Sequence, residues 1–255
     1  MAVAARTLRR PDLENSATRT LDFIRSELWR DGRLLATFKD GRAHLGAYLD
    51  DYVLLADAIV ELLQYRWRST DLKLATDLLD VVLRNFTDAE RGGFFFTADD
   101  HEELMHRSKT FSDESLPNGN AIAARVLGRL GHLLGDARYL QAAERTLQSG
   151  WSQLEQHPQG HAALLNALEE YLEPVEIVII RGTEDNVRRW RDELAAVYAP
   201  RRLVFPIPDQ VTDLHPAIDD KRSMGEIVAY ICRGTTCSPP IKSFPELLSQ
   251  LGKAA

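Results

Sequence analysis

The sequence has little cysteine and no long apolar run. Two cysteines, Cys232 and Cys237, in 255 residues are too few for the disulfide framework of a small secreted domain. A membrane-spanning helix needs about 20 apolar residues, whereas the run "VEIVII" at 175–180 has the length of a buried strand. The first residues also lack the apolar segment and cleavage site of a secretory signal. We therefore expect a cytoplasmic protein that has no membrane partner.

Basic residues are outnumbered by acidic ones. The 31 Lys and Arg residues face 38 Asp and Glu residues, which gives a net charge of -7. Proteins that bind polyanions gather their affinity from clustered Lys and Arg, so we expect no nucleic-acid partner. The sequence also contains neither a glycine-rich phosphate loop nor a G-x-S-x-G nucleophile motif. These absences argue against nucleotide binding and against that type of hydrolase.

Pairs of histidines give only a weak metal signal. His157 and His161 are four residues apart, but Pro158 disfavours helical conformation at His157 and no third ligand is close in sequence. His101 and His106 lack further ligands in the same way. We expect no metal and no other cofactor.

Helical periodicity dominates from Asn15 to about Leu172. Apolar residues recur at spacings of three and four, which predicts amphipathic helices at 51–65, 70–86, 118–135, 136–151 and 160–172. Similar segments return about every 60 to 65 residues, so the repeating unit is two helices and a long loop. Helical hairpins of this kind bury their apolar faces on one another.

The pattern changes after Glu173 and Pro174. Short β-branched segments at 175–182, 201–208 and 225–234 alternate with helical segments at 184–198 and 243–252. Strand, helix and strand in this order predict a small parallel sheet with covering helices. We therefore divide the chain into a helical-hairpin domain, 1–173, and a small α/β tail domain, 174–255.

Four motifs carry a resemblance to a known family. They are "AYLDDY" at 47–52, "GGFFFT" at 92–97, "RSKTFSDESLPNGN" at 107–120 and "YICRGTTCSPP" at 230–240. In this order they resemble the carboxy-terminal portion of the thioredoxin-domain-containing proteins related to the spermatogenesis-associated thioredoxin-like protein. The chain departs from the family pattern at Thr110, Glu114 and Asn118, where Glu, Gly and Ser are common.

The resemblance implies an architecture. Members of that family have a thioredoxin-like domain, then an α/α toroid of the six-hairpin glycosidase type, then a short tail domain. We therefore expect a mainly α fold, in which a partial α/α toroid of helical hairpins precedes a small α/β domain. The chain would be a fragment or an unusually short relative. Because the same toroid serves sugar hydrolases and sugar 2-epimerases, a carbohydrate function follows by analogy of fold.

Two carboxylates are the candidate catalytic pair. Sugar hydrolysis needs two carboxyl groups about 5 to 10 Å apart, and Asp51 and Asp113 could provide them if the hairpins pack side by side. The alternative is that these acids cap helices, since acidic residues at a helix amino terminus are stabilised by the helix dipole. The same ambiguity holds for the polar cluster at 112–120, which precedes an apolar run.

Further polar residues of the same loops are candidates for binding a substrate. His44 could act as a base and Arg107 could hold an anionic group through two hydrogen bonds. The aromatic run at 92–97 is expected to pack in the core, although one face could stack on a sugar ring. The candidate substrate-binding residues are His44, Asp50, Tyr52, Arg107, Asn118 and Asn120.

The two cysteines have two interpretations. A redox motif is more typically C-x-x-C at a helix start, whereas four residues separate Cys232 from Cys237. In a cytoplasmic chain we expect a reduced, packed pair, and a redox site is the alternative.

Two functions of different classes remain open on the sequence. The first is a carbohydrate-active or carbohydrate-binding module, whose partner would be a small carbohydrate. The second is a non-catalytic scaffold that supports a thioredoxin-like domain. A partial set of hairpins would expose an apolar edge, so we also expect a homo-oligomer or a partner chain.

Overall fold

The computed structural model describes residues 1–102 and 104–252. The chain begins with α1 (Ala2–Leu8) and α2 (Pro11–Phe23), which continues into one π-helical segment (Ile24–Leu28). A small antiparallel sheet follows, made of β1 (Trp29–Arg30), β2 (Arg33–Lys39) and β3 (Arg42–Gly46). Asp40 and Gly41 join β2 to β3, and both have positive φ values, 52° and 73°. Asp-Gly favours this kind of two-residue hairpin turn.

Helical hairpins form the middle of the chain. The helices are α3 (Leu49–Leu63), α4 (Ser69–Asn85), α5 (Gly119–Leu134), α6 (Ala137–Gln156) and α7 (Ala162–Leu172). Helix α3 packs on α4 and α5, and α5 packs on α6 and α7. Helix α5 is almost wholly buried because it is rich in Ala and Gly. Gly131 lies against the side chain of Leu140, so α5 and α6 approach closely there.

A second sheet follows the helices. Its elements are β4 (Glu176–Gly182), α8 (Glu184–Ala195), β5 (Arg202–Pro208), α9 (Pro216–Asp219), β6 (Ile227–Arg233), β7 (Thr236–Cys237) and α10 (Phe244–Leu251). The strand order is β5-β4-β6-β7, and β4 pairs with β5 in parallel. Strands β6 and β4 are antiparallel, so the prediction of a parallel sheet is wrong for β6. The reason is that the chain turns back at the end of the sheet where β4 finishes, as the bond from Thr183 N to Glu226 O shows.

Strand β4 has two apolar faces. Ile177 and Ile179 belong to the same core as the helices, whereas Val178 and Ile180 pack against residues of α8 and α10. Alternate residues of a strand point to opposite faces, which explains this division. The molecule is therefore mainly helical with a smaller β component, as the sequence predicts. Among the residues described, no helix is long and apolar enough to cross a membrane.

Gly182 at the end of β4 is expected to tolerate no side chain. Its φ is 155°, and a Cβ there would lie 2.4 Å from the carbonyl oxygen of Glu226. We expect Gly182→Ala to lower the free energy of unfolding by about 1–3 kcal/mol, since an added methyl group in a packed site forces the backbone to move. Urea denaturation followed by circular dichroism measures this change.

The control for that substitution is Gly128→Ala in α5, where no atom beyond the adjacent residues and the backbone of the same helix lies within 4 Å of the added Cβ. This change should raise the free energy of unfolding by about 0.5–1 kcal/mol because alanine favours the helix. Equal effects of the two substitutions would contradict the close contact at Gly182.

Candidate functional site

Three loop segments meet at one end of the hairpins. The backbone N–H of Leu49 donates to Phe96 O at 3.0 Å, which joins the start of α3 to the 94–101 segment. The side chain of Asn120 bonds the backbone of Phe94, and the carboxyl group of Asp50 lies directly against Gly119, the first residue of α5. We call this surface the rim and define it as residues 48–51, 94–101 and 113–120. The polar loops that the sequence predicts on a common rim do meet there.

Asp51 lies on the rim but serves as a helix cap. Its Oδ2 accepts a hydrogen bond from the backbone N–H of Tyr48 at 2.9 Å. The first amides of a helix have no partner within the helix, and an acidic side chain in the first turn supplies one.

Asp113 has a similar structural role. Its Oδ1 accepts from the backbone N–H of Asn118 at 2.9 Å, and its Oδ2 accepts from the N–H of Ala163 at 2.8 Å. One carboxylate thus connects the loop before α5 to the start of α7. Because Asp51 and Asp113 are both bound to backbone amides, the arrangement does not match the acid/base pair expected from the sequence.

Apart from the exposed Glu114, Asp50 is the carboxyl group of the rim that remains free among the described residues. Its side chain is half-buried and has no hydrogen-bond partner among the described residues. Burial raises the pKa of this carboxyl, and the charges of Asp51 and Glu114 raise it further. A carboxyl group in this setting is a candidate for contact with a ligand. The sequence signal was the adjacent pair of acids, of which one is enough to cap α3.

A stack of aromatic rings belongs to the same rim. The rings of Tyr48 and Phe96 are parallel within 7°, with centroids 4.7 Å apart. The imidazole of His101 stacks with Tyr48 at 5.3 Å. Phe96 is 38% exposed, which leaves part of its surface open to solvent. Sequence reasoning considered a ring-stacking face at 92–97 but missed Tyr48 and His101, because nothing in the sequence brings 48 and 101 together.

The two asparagines are used inside the protein. Asn118 caps α5, since its Oδ1 accepts from the backbone N–H of Asn120 at 2.9 Å. The Oδ1 of Asn120 accepts from Phe94 N at 2.7 Å, while its Nδ2 donates to Phe94 O at 2.9 Å and to Thr110 O at 3.0 Å. Both side chains are buried. Protein groups already bond their polar atoms, so the structure gives both side chains an internal role.

Tyr52 and Arg107 bond backbone groups, and His44 lies on β3. The hydroxyl of Tyr52 is buried and accepts from Leu34 N at 2.8 Å. The guanidinium of Arg107 donates to the carbonyls of Thr97 and Asn85 and lies 4.3 Å from the ring centroid of Phe95. His44 is exposed on β3. Tyr52 and Arg107 thus have structural partners, and no rim contact of His44 is seen.

The histidine pair 157 and 161 forms an internal contact. His161 is buried, its Nε2 is 3.1 Å from Ser112 Oγ, and its Nδ1 is 2.7 Å from the carbonyl oxygen of His157. Within residues 1–102 and 104–252, no group of three or more His, Cys, Asp or Glu side chains could hold a metal ion.

A cavity of about 550 Å³ lies away from the rim, between α5, α6 and α7. Arg129 lines it and is nearly buried. Its guanidinium donates to Glu170 at 2.7 and 2.8 Å and to Glu61 at 3.3 Å, so its charge is compensated. This cluster joins α3, α5 and α7 and has a structural role.

The two cysteines form a disulfide bond. Cys232 of β6 and Cys237 of β7 are direct partners in the antiparallel register. The expectation of a reduced pair is therefore wrong, because the hairpin that joins the two strands brings the side chains together.

The chain is similar in sequence to a distant relative among known proteins. The chain is 22% identical over 214 residues to a Caenorhabditis elegans protein, "Uncharacterized protein B0495.5". The match covers 82% of this chain and 29% of that protein, so the chain spans less than a third of its relative's length. No family model matches the chain. Because that relative is itself uncharacterised, the match indicates no activity, substrate or partner for this chain.

Proposed function

We propose that the chain is a carbohydrate-binding module that uses the rim. The observation behind this proposal is the free carboxyl of Asp50 on the same rim as the partly exposed stack of Tyr48, Phe96 and His101. A sugar presents both hydroxyl groups and an apolar ring face. Aromatic rings supply apolar contact area and a few placed polar groups fix orientation, so an unbonded carboxylate beside exposed rings suits such a ligand.

We also propose that the hairpins are part of an α/α toroid. The support is that α3 and α4 form one hairpin, α5 and α6 form the next, and α3 packs on α5. The loops of both hairpins contribute to one rim. Sugar hydrolases and epimerases of this fold make the carbohydrate link an analogy of fold.

Binding is a better fit than hydrolysis. Glycoside hydrolysis requires two carboxyl groups that flank the scissile bond. The oxygens of Asp113 and one oxygen of Asp51 accept bonds from backbone amides. Asp50 is then left to orient a hydroxyl group of the ligand.

The second candidate function is a scaffold. The hydrogen bonds that Asp51 and Asp113 accept from backbone amides favour it, since these acids of the rim act as helix caps. A scaffold would place this chain against a thioredoxin-like domain or against a second copy of itself. In that case no sugar would bind the rim.

Calorimetry with a panel of neutral oligosaccharides tests the proposal on the full chain. Asp50→Asn and Phe96→Ala should each weaken binding about tenfold or more, which corresponds to about 1.4 kcal/mol. Phe38→Ala is the matched control, because Phe38 is 37% exposed, close to Phe96, but packs on Phe23. Absence of binding to the whole panel, or equal losses for Phe38→Ala and Phe96→Ala, would support the scaffold.

The pH dependence of stability tests the environment of Asp50 independently of sugar binding. The pKa of Asp50 is raised in the folded protein, so ionisation costs stability as the pH rises from the unfolded value through the folded value. Asp50→Asn should therefore raise the free energy of unfolding at pH 7, by less than about 1 kcal/mol because solvent screens the half-exposed site. The gain should disappear near pH 3. A variant that is more stable and binds less sugar would mark Asp50 as a ligand-binding group.

We keep a cytoplasmic location as a proposal. The sequence feature that suggests it is the small number of cysteines, two in 255 residues. A disulfide in that compartment is more often transient than permanent, and this bears on the role of Cys232 and Cys237.

A further inference from the structure

The two sulfur atoms of the disulfide differ in their surroundings. Cys232 is 6% exposed and belongs to the main apolar core, whereas Cys237 is exposed. In thiol–disulfide exchange, accessibility helps to decide which sulfur the incoming thiolate attacks. Here an incoming thiolate meets the sulfur of Cys237, and the sulfur of Cys232 becomes the leaving group.

The hairpin around the disulfide is also closed by hydrogen bonds. Ser238 N donates to Ile231 O at 2.8 Å, and Ile231 N donates to Ser238 Oγ at 3.0 Å. Further along, Ala229 and Ile241 exchange two backbone bonds at 2.9 Å. The disulfide closes a short loop, and short loops restrict the unfolded chain least. Reduction should therefore leave β6 and its neighbours in place.

A cavity of about 290 Å³ adjoins the disulfide. Both cysteines line it, together with His132 and Lys221, and Leu140, Ile177 and Ile179 give it an apolar wall. Its lining residues include no Asp or Glu. A nearby cation lowers the pKa of a thiol, while a carboxylate would raise it. The surroundings thus suit a thiolate.

His132 is a group that could move a proton in this cavity. Its side chain is half-buried, and its Nδ1 has no partner among the described residues. Burial lowers the pKa of His132, and a hydrogen bond with the backbone of Gly234 offsets part of this effect. The imidazole is therefore neutral near pH 7 and can accept a proton. Gly234, which lies in the turn between the two cysteines, lines the same cavity as His132.

We propose that Cys232, Cys237 and His132 form a thiol–disulfide exchange site for a low-molecular-weight thiol. The thiol gives its proton to His132 and its sulfur forms a bond with Cys237, while the Cys232–Cys237 bond breaks. Cys232 leaves with the electron pair and takes the proton from His132. A second thiol then attacks the mixed disulfide. The balance is one protein disulfide reduced to two thiols and two small thiols oxidised to one disulfide.

The size of the cavity favours a small thiol over a protein. About 290 Å³ is near the lower end of small-molecule sites, and the cavity lies beside the exposed sulfur of Cys237. A cysteine of a folded partner protein would have to bring its own backbone up to the disulfide, which requires more space than a small thiol does. The site is separate from the rim, so its test is independent of sugar binding.

Glutathione buffers provide the test on the full, folded chain. The protein is equilibrated with mixtures of reduced and oxidised glutathione, and free thiols are counted by alkylation and mass spectrometry. We expect reversible reduction of the pair without change in the circular dichroism spectrum. Reduction that occurs only after denaturation, or that unfolds the chain, would overturn the proposal.

Single-cysteine variants test the assignment of the sulfurs. With oxidised glutathione, Cys232→Ser, which leaves Cys237, should form the mixed disulfide at least about tenfold faster than Cys237→Ser, which leaves the buried Cys232. Equal rates would contradict the assignment. If glutathione fails to reduce the wild-type Cys232–Cys237 disulfide while a reduced protein dithiol such as thioredoxin reduces it, the small-thiol proposal is wrong.

A variant of the histidine tests its role as proton carrier. His132→Gln should slow reduction of the pair by glutathione about tenfold or more at pH 7 and remove the inflection that His132 gives to the dependence of rate on pH. The thermal midpoint serves as the control for folding. An unchanged pH profile would exclude His132 from the exchange.

Discussion

Replacing Asp71 by alanine is expected to lower the free energy of unfolding by about 3–5 kcal/mol. The side chain of Asp71 is fully buried at the start of α4 and receives hydrogen bonds from three arginines. Arg66 Nη1 is 2.6 Å and Arg68 Nε is 3.0 Å from its Oδ2, and Arg25 bonds its Oδ1. Without the carboxylate, three partly buried guanidinium groups repel one another. Loss of one member of a buried ionic cluster costs more than the cluster contributes as a whole.

The pH dependence of this effect has a defined sign. Burial alone would raise the pKa of Asp71, but the hydrogen bonds from Arg68, Arg66 and Arg25 outweigh burial and hold the pKa below its usual range. A depressed folded pKa contributes stability above the unfolded value, near pH 4, and this contribution is lost as the pH falls through the folded value. The difference between wild type and Asp71→Ala should therefore shrink in acid.

Urea denaturation at pH 7 and at acid pH measures both effects. Asp77→Ala is the control, because Asp77 forms an exposed pair with Lys73 at 2.7 Å on the same helix. Exposed pairs contribute about 0–1 kcal/mol. Similar losses for Asp71→Ala and Asp77→Ala would show that the remaining ion pairs of the three arginines, with Asp22 and Glu14, compensate for the loss of Asp71.

The substitution Asn120→Ala should destabilise the fold by about 3 kcal/mol. It removes three hydrogen bonds and leaves Phe94 N–H, Phe94 C=O and Thr110 C=O without these partners. A buried polar group left unpaired costs about 1–3 kcal/mol. The sum is reduced if water enters the space of the lost amide.

Thermal denaturation and calorimetry together decide the role of Asn120. A large loss of stability with sugar binding retained at low temperature fits the internal role that the structure gives it. Normal stability with loss of binding would restore the substrate-binding role that the sequence suggests. The control is Gln148→Ala in α6, because the exposed side chain of Gln148 bonds the side chain of Glu144 and its loss should change stability by less than about 1 kcal/mol.

Much of the helical fold could be predicted from the sequence. Helices α3 to α7 follow from apolar residues at spacings of three and four, and the change to strands falls between Leu172 and Glu176. The direction of β6 could not be predicted, because strand periodicity is the same in both directions. It depends on where the 209–226 segment returns the chain.

The site was less predictable than the fold. The sequence places polar residues on the loops, but it does not show which polar atoms backbone amides occupy. Asp113 binds the amide of Ala163, 50 residues away, and Asn120 binds Phe94, 26 residues away. Such contacts depend on packing between hairpins. Asp51 accepts from the amide of Tyr48, whereas Asp50 lies against Gly119 of another hairpin, and that contact exists only in the assembled rim.

Strand β4 has a consequence for how the protein responds to change. Ile177 and Ile179 belong to the same apolar core as the hairpins, so the sheet covers one side of the helices. Removal of 174–255 would expose that side to water. Substitutions in either half should then also destabilise the other, and we expect a single unfolding transition for the two.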